Sequence, residues 1–138
     1  MKIKPSSQKI AKPCTDCFKP RYLKFNFSYT KDFDVDAKYK ARMFDRMVQL
    51  SSWTFVALSN LDKKQGFELV DKKELGYKKQ FPEEMNERFS LDIQKHKLAI
   101  VRLYPNDNPI LARIIGVIVN KIFYVLEIDI SGKSYNHE

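Results

Sequence analysis

Residues 97–138 leave this chain little choice of fold. Three runs, 97–104, 110–119 and 122–130, are rich in Ile, Val, Leu, Phe and Tyr, and each has the length of a strand. Pro105-Asn106-Asp107-Asn108-Pro109 separates the first two and is dense in turn-forming residues. Asn120-Lys121 alone separates the last two and predicts a two-residue hairpin tip. Connections this short cannot carry a parallel crossover, so the three strands should pair as an antiparallel meander.

The preceding residues supply further elements. Residues 22–29 alternate, with Leu23, Phe25, Phe27 and Tyr29 on one side and Lys24, Asn26 and Ser28 on the other, the pattern of a half-buried strand. Residues 37–50 place Met43, Met47 and Leu50 on one helical stripe with Tyr39 and Phe44 nearby, and Asp36 is a candidate N-cap. Lys38, Lys40, Arg42, Asp45 and Arg46 fill much of the remaining surface of that helix. A second short helix is expected over 53–60, capped by Ser51 or Ser52, unless the first simply continues. Gly66 and Gly76 bracket a charged connector in which Phe67, Leu69 and Val70 are the packing candidates. Pro82-Glu83-Glu84 reads as the first turn of another helix ending near Phe89. The expected fold class is therefore α+β: an N-terminal strand, one or two helices and a three-stranded antiparallel meander, the strands in one curved sheet with helices on one face. Residues 1–21 form a basic, Pro-containing arm, and 22–138 a single domain.

Charge is concentrated at one end. The chain carries +8, yet residues 1–31 hold eight Lys and Arg against Asp16 alone, and the rest is almost balanced. Such an arm either contributes affinity for a polyanion by counterion release or is a solvated tail. No stretch reaches the roughly 18 uncharged apolar residues of a membrane span, and the basic N-terminus lacks the apolar segment of a secretion signal. With two cysteines the chain is no disulfide scaffold. No membrane partner and a cytoplasmic location are expected.

Four residues stand out chemically. Arg102 and Arg113 interrupt apolar strand faces. A cation there needs a partner or a cleft, because an unpaired buried charge is costly. Glu127 or Asp129 could pair with either, or both guanidiniums could converge on a phosphate. Tyr135 and His137 follow the last strand at i and i+2, which point the same way in an extended segment. A phenol and an imidazole can exchange protons, or the two can belong to a frayed end without a role. His96 and Lys97, at the start of the first meander strand, could border the same cleft. Cys14-Thr-Asp-Cys17 supplies two of the four ligands a structural zinc requires, with no second pair in the chain. No glycine-rich phosphate loop or zinc-protease motif occurs. Neither a metal nor a cofactor is expected.

Strand, helical pair and three antiparallel strands, with Lys97-Leu-Ala-Ile-Val-Arg102, Ala112-Arg113-Ile-Ile, Phe123-Tyr-Val-Leu-Glu-Ile-Asp129 and Gly132-Lys133-Ser-Tyr135, resemble the RelE/ParE superfamily of bacterial toxin–antitoxin systems. The resemblance covers about a third of the chain. The segment 61–94 is longer than is usual there, and the arm is extra. It implies a toxin-like, metal-independent endoribonuclease of the mRNA interferase type, in which the RNA 2′-hydroxyl attacks the neighbouring phosphate. Carried over, Arg102 and Arg113 would stabilise charge and Tyr135 or His137 would move protons. Lys97 and Lys133, with His96 and Lys121, would bind RNA. The implied partners are RNA, including ribosome-bound mRNA, and a cognate acidic antitoxin. ParE-like members share the fold without cutting RNA, so a non-catalytic toxin stays open. A nucleic-acid-binding or regulatory module using the arm stays open as well.

Overall fold

The hairpin tip forms as its residues demand. Asn120 and Lys121 both adopt positive φ, 53° and 64°, the backbone of a two-residue turn whose twist matches the flanking strands. It joins the two longest strands of the computed structural model, which describes residues 21–132 apart from Asp32, Lys78 and Leu91. The elements in order are β1 (Lys24–Asn26), α1 (Ala37–Ser51), α2 (Phe55–Asn60), β2 (Phe67–Val70), α3 (Lys72–Leu75), α4 (Glu84–Phe89), a 3-10 turn (Ile93–Lys95), β3 (Leu98–Arg102), β4 (Ala112–Val119) and β5 (Ile122–Ile130). The strands form one mixed sheet in the order β1-β5-β4-β3-β2. β2 to β5 pair antiparallel, and β1 lies parallel to β5 at the edge.

The α+β class and the closing meander are thus present, with three differences. The sheet has a fifth strand, β2, over Phe67-Glu-Leu-Val, in the connector. Second, its helical layers lie on both faces. Leu23, Met43, Leu50 and Leu58 pack on Ala99, Val101, Ile114, Phe123 and Val125 on one side. Tyr77, Phe81, Met85 and Ile93 pack on Leu98, Ile100, Ile115, Val117 and Tyr124 on the other. Strand residues i and i+1 face opposite ways, so near-continuous apolar runs such as 98–101 require cover on both sides. The long 61–94 segment supplies the second layer. Third, α2 is capped by Thr54, whose Oγ1 accepts from the Ala57 amide at 3.1 Å, and not by Ser51 or Ser52.

Arg46 departs from the expected polar face of α1. It is buried, its Nε donates to the Arg102 carbonyl at 2.9 Å, and its Nη2 donates to the Gln65 and Lys64 carbonyls at 2.9 and 3.4 Å. One turn earlier, Arg42 Nε donates to the Leu103 carbonyl at 3.0 Å. Two guanidiniums at i and i+4 therefore clasp α1 to the end of β3. Burial, then the Arg42 charge, lower the pKa of Arg46.

β4 and β5 shift register at one point. Ile115 faces Glu127 and Gly116 faces Val125, leaving Leu126 as an extra residue on β5. Gly116 makes this possible, since a Cβ there would collide with the Tyr124 carbonyl oxygen. The Leu126 carbonyl, freed from the ladder, accepts from the Lys31 amide at 3.0 Å, and Thr30 Oγ1 donates to the neighbouring Val125 carbonyl at 2.6 Å. The bulge thus brings the segment after β1 against β5.

Among the described residues no helix is long and apolar enough to cross a membrane. The arm 1–20, with Cys14 and Cys17, and residues 133–138, with Lys133, Tyr135 and His137, lie outside the described residues.

Candidate functional site

Register alone assembles a polar end on one sheet face. Arg102 pairs with Arg113, and Arg113 with Asp129, so three charged residues stand in a row across β3, β4 and β5. Two residues along, the next row on the same face is Ile100, Ile115 and Glu127. This face belongs to the layer built from 61–94, and the polar end is where that layer's apolar packing stops.

Asp107 holds both guanidiniums. Arg113 Nη1 donates to Asp107 Oδ1 at 2.5 Å and Nη2 to Oδ2 at 3.3 Å, and Nη1 also donates to the Ala112 carbonyl at 3.2 Å. Arg102 Nη1 lies 3.3 Å from Asp107 Oδ2 and donates to the Pro105 carbonyl at 3.3 Å. Asp107 adopts a positive φ of 55° in the turn between β3 and β4, a conformation Asp tolerates better than most residues. From the sequence, Glu127 or Asp129 was the expected partner, or a phosphate on which both guanidiniums converge; the anion both of them meet here is Asp107. That anion is a loop carboxylate of the same chain. The Arg113 side chain retains only 6% of its exposure.

Beside this cluster lies a cleft of about 310 Å³ lined by Tyr29, Lys31, Tyr77, Lys79, Gln80 and Glu127, with Pro82 and Leu126 as its apolar floor. Its centre is the Glu127 carboxylate, whose side chain is 6% exposed. Lys79 Nζ donates to Glu127 Oε2 at 2.7 Å and the Tyr77 hydroxyl donates to the same oxygen at 3.0 Å. Burial raises the Tyr77 pKa well above the usual phenol range, and the charges of Glu127 and Asp129 add to it. Tyr77 therefore stays protonated and acts as a donor. Lys79 is half-exposed and Lys31 exposed, so the mouth of the cleft is cationic and its base carries a carboxylate.

The Tyr77 phenol makes stability pH-dependent. The unfolded chain loses this proton near pH 10 while the folded chain keeps it, so the contribution is full below pH 10 and is lost as pH rises above it. Urea unfolding of the wild type from pH 8 to 11 should show a steeper loss above pH 10 than that of Tyr77→Phe. Parallel curves would mean the phenol is not held protonated.

The structure does not bring every sequence candidate here. His96 and Lys97 lie at the opposite end of β3 from Arg102, five residues or more away, which is about 16 Å along a strand. Lys121, at the β4–β5 tip, is farther still, with its Nζ 5.4 Å from the Phe55 ring centre on the α2 side. Conversely, Tyr29, Lys31, Tyr77 and Lys79 were not singled out in the sequence, and Glu127 was considered only as an arginine partner. Glu127 carried one signal, a carboxylate in the otherwise apolar run 122–128. Its partners are some fifty residues away and carried none. Among the described residues no group of three or more His, Cys, Asp or Glu is placed to hold a metal ion.

No family model, curated protein or solved structure matches this chain.

Proposed function

We propose that the polar end of this sheet face binds and cleaves RNA without a metal, in the manner of an mRNA interferase toxin. The observation that carries the reading is the juxtaposition on one face of a buried carboxylate in an open cationic cleft and two guanidiniums converging on an anion. In this reading Glu127 accepts the proton of the attacking 2′-hydroxyl. Lys79 and Lys31 balance the charge gathering on the phosphorane, a contribution often worth several kcal/mol. Arg102 and Arg113, with Asp107 held between them, are assigned the shaping of the edge of the site. β5 ends at Ile130, one residue past the Arg113–Asp129 pair, and Lys133, Tyr135 and His137 lie outside the described residues. Tyr135 or His137 is assigned the protonation of the leaving 5′-oxygen. An attack by the 2′-hydroxyl excludes DNA as substrate.

A protein partner belongs to the same proposal. Ala37, Ala41, Phe44 and Val48 recur at spacings of four, three and four on α1, all exposed, Phe44 by 63%. An apolar helical seam left open in this way suits a partner helix, the role an antitoxin would take.

The test is incubation with single-stranded RNA in excess EDTA. Cleavage should leave 2′,3′-cyclic phosphate ends, spare DNA of the same sequence, and fall about 10²–10⁴-fold in Glu127→Gln, the range of a lost general base. Intact RNA, or cleavage indifferent to Glu127, would end the assignment. A second reading, a non-catalytic toxin or binding module, is favoured by one observation, the grip of Asp107 on both guanidiniums. Both predict no new RNA ends, and the binding module alone adds salt-dependent affinity for nucleic acid.

A further inference from the structure

Three segments meet at the far side of the sheet, and none of them contains a carboxylate. Residues 21–31, 46–61 and 108–126 are free of Asp and Glu. Their meeting is fixed by backbone contacts: Tyr22 bridges Thr54, the Phe55 amide donates to the Arg21 carbonyl at 2.6 Å, and the Lys24 amide donates to the Lys121 carbonyl at 3.3 Å. Lys121 Nζ stands over the Phe55 ring. Arg21 and Lys24 are exposed, and Tyr22 and Trp53 keep 47% and 46% of their surface in solvent. Aromatic rings this open on a folded domain are left without the packing their area would gain.

From this we infer a second binding site, for single-stranded nucleic acid, formed by Tyr22, Lys24, Trp53 and Lys121 with Arg21 at its edge. The bases would stack on the rings and the phosphates lie along the cations, the combination by which single strands are held without sequence preference. Two further observations favour this ligand over an acidic protein. The rings are flat and amphipathic where a protein helix would want an aliphatic seam. In the sequence the lysines of residues 2–19 precede Arg21 without a compensating acid other than Asp16, a charge that favours a polyanion. Glu127 of the cleft stands six residues beyond Lys121 of the patch along β5, about 20 Å of extended strand. An RNA engaged at both would need several nucleotides between the held segment and the reacting phosphate. This site extends the RNA reading but is tested apart from it.

Trp53 is the chain's single tryptophan and reports directly on the patch. The full chain is titrated with a single-stranded oligo(dT) of about twelve nucleotides, which the 2′-hydroxyl chemistry cannot cut. The expected result is quenching of Trp53 fluorescence with an affinity that falls steeply with salt. Tyr22→Ala should weaken binding about tenfold with little change in the salt slope, the size of one lost stacking contact. Lys24→Glu with Lys121→Glu should weaken it further and flatten the slope. Heparin, a polyanion without bases, should bind without comparable quenching. Oligo(dT) has no 2′-hydroxyl and Trp53 lies in the patch, so a failed cleavage assay leaves this result standing. Absent quenching, equal quenching by heparin, or binding unmoved by both the Tyr22 and the lysine variants would each overturn the inference.

Discussion

Arg46→Met is expected to cost about 4 kcal/mol of stability, since each buried acceptor left unpaired costs about 1–3 kcal/mol. Methionine keeps most of the stem's packing and removes the fork. The Arg102 and Gln65 carbonyls, held by Arg46 at 2.9 Å each, then lose that donor in a place where α1 keeps water out. Lysine should restore less than half, because a single ammonium cannot serve carbonyls on two sides as a planar guanidinium does. Urea unfolding measures the loss as a lower midpoint at unchanged slope. Hydrogen exchange adds a local reading: the Gln65 and Gly66 amides, which bond to the Asp62 carbonyl at 3.0 Å, should lose protection in the variant. A loss under 1 kcal/mol would mean that water replaces the fork and that the clasp between α1 and β3 is not structural.

Asp107→Ala is expected to cost about 3 kcal/mol, the scale of breaking a buried ion pair by deleting one partner. The variant leaves the Arg113 guanidinium with the Ala112 carbonyl and whatever Asp129 offers across the register. It also frees the turn between β3 and β4, whose Asp107 amide donates to the Tyr104 carbonyl at 2.8 Å. Asp107→Asn should fall between wild type and Ala, because an amide oxygen still accepts but carries no charge. The functional consequence separates the two readings of the site. If the guanidiniums act on RNA only indirectly, both variants should bind oligonucleotide as the wild type does after correction for the folded fraction. If Asp107 occupies a place a phosphate can take, both should bind more tightly. Stability unchanged in Asp107→Ala would show that the arginines find other partners and that this carboxylate is not their anchor.

The fold was legible where pattern and turn chemistry agreed. β5 and the Asn120-Lys121 tip could be read directly, because a long apolar run ending at two turn residues has few alternatives. α1 was legible from its stripe, though Arg46 was not. A helical wheel assigns charge to solvent, and only the distant carbonyls of Arg102, Lys64 and Gln65 make burial of that cation tolerable. β2 was hidden by brevity: four residues that include Glu68, flanked by Gly66 and Asp71, look like a connector until β3 is beside them. Helices were expected on one face only, because a charged segment with short, scattered hydrophobic residues did not show that it could cover the second face of the apolar runs in β3 and β4. The arginine pair was visible as two misplaced cations. Their anion was not, since Asp107 sits in a turn where Asp is already expected for local reasons. The cleft was the least legible part, because Glu127, Tyr77 and Lys79 meet only through the second layer, and the bulge that admits Lys31 depends on a single Gly116.

The central claim is that RNA is engaged at the Glu127 end of the sheet, and an amide chemical-shift map tests it most directly. The folded chain is titrated with a short RNA carrying 2′-O-methyl sugars throughout, so that the 2′-oxygen stays in place but cannot attack the phosphate. The account predicts the largest shifts at Lys31, Lys79 and the β5 segment from Leu126 to Asp129, with a separate set around Tyr22, Trp53 and Lys121. Shifts confined to that second set, with Lys79 and Glu127 unmoved at saturation, would contradict it.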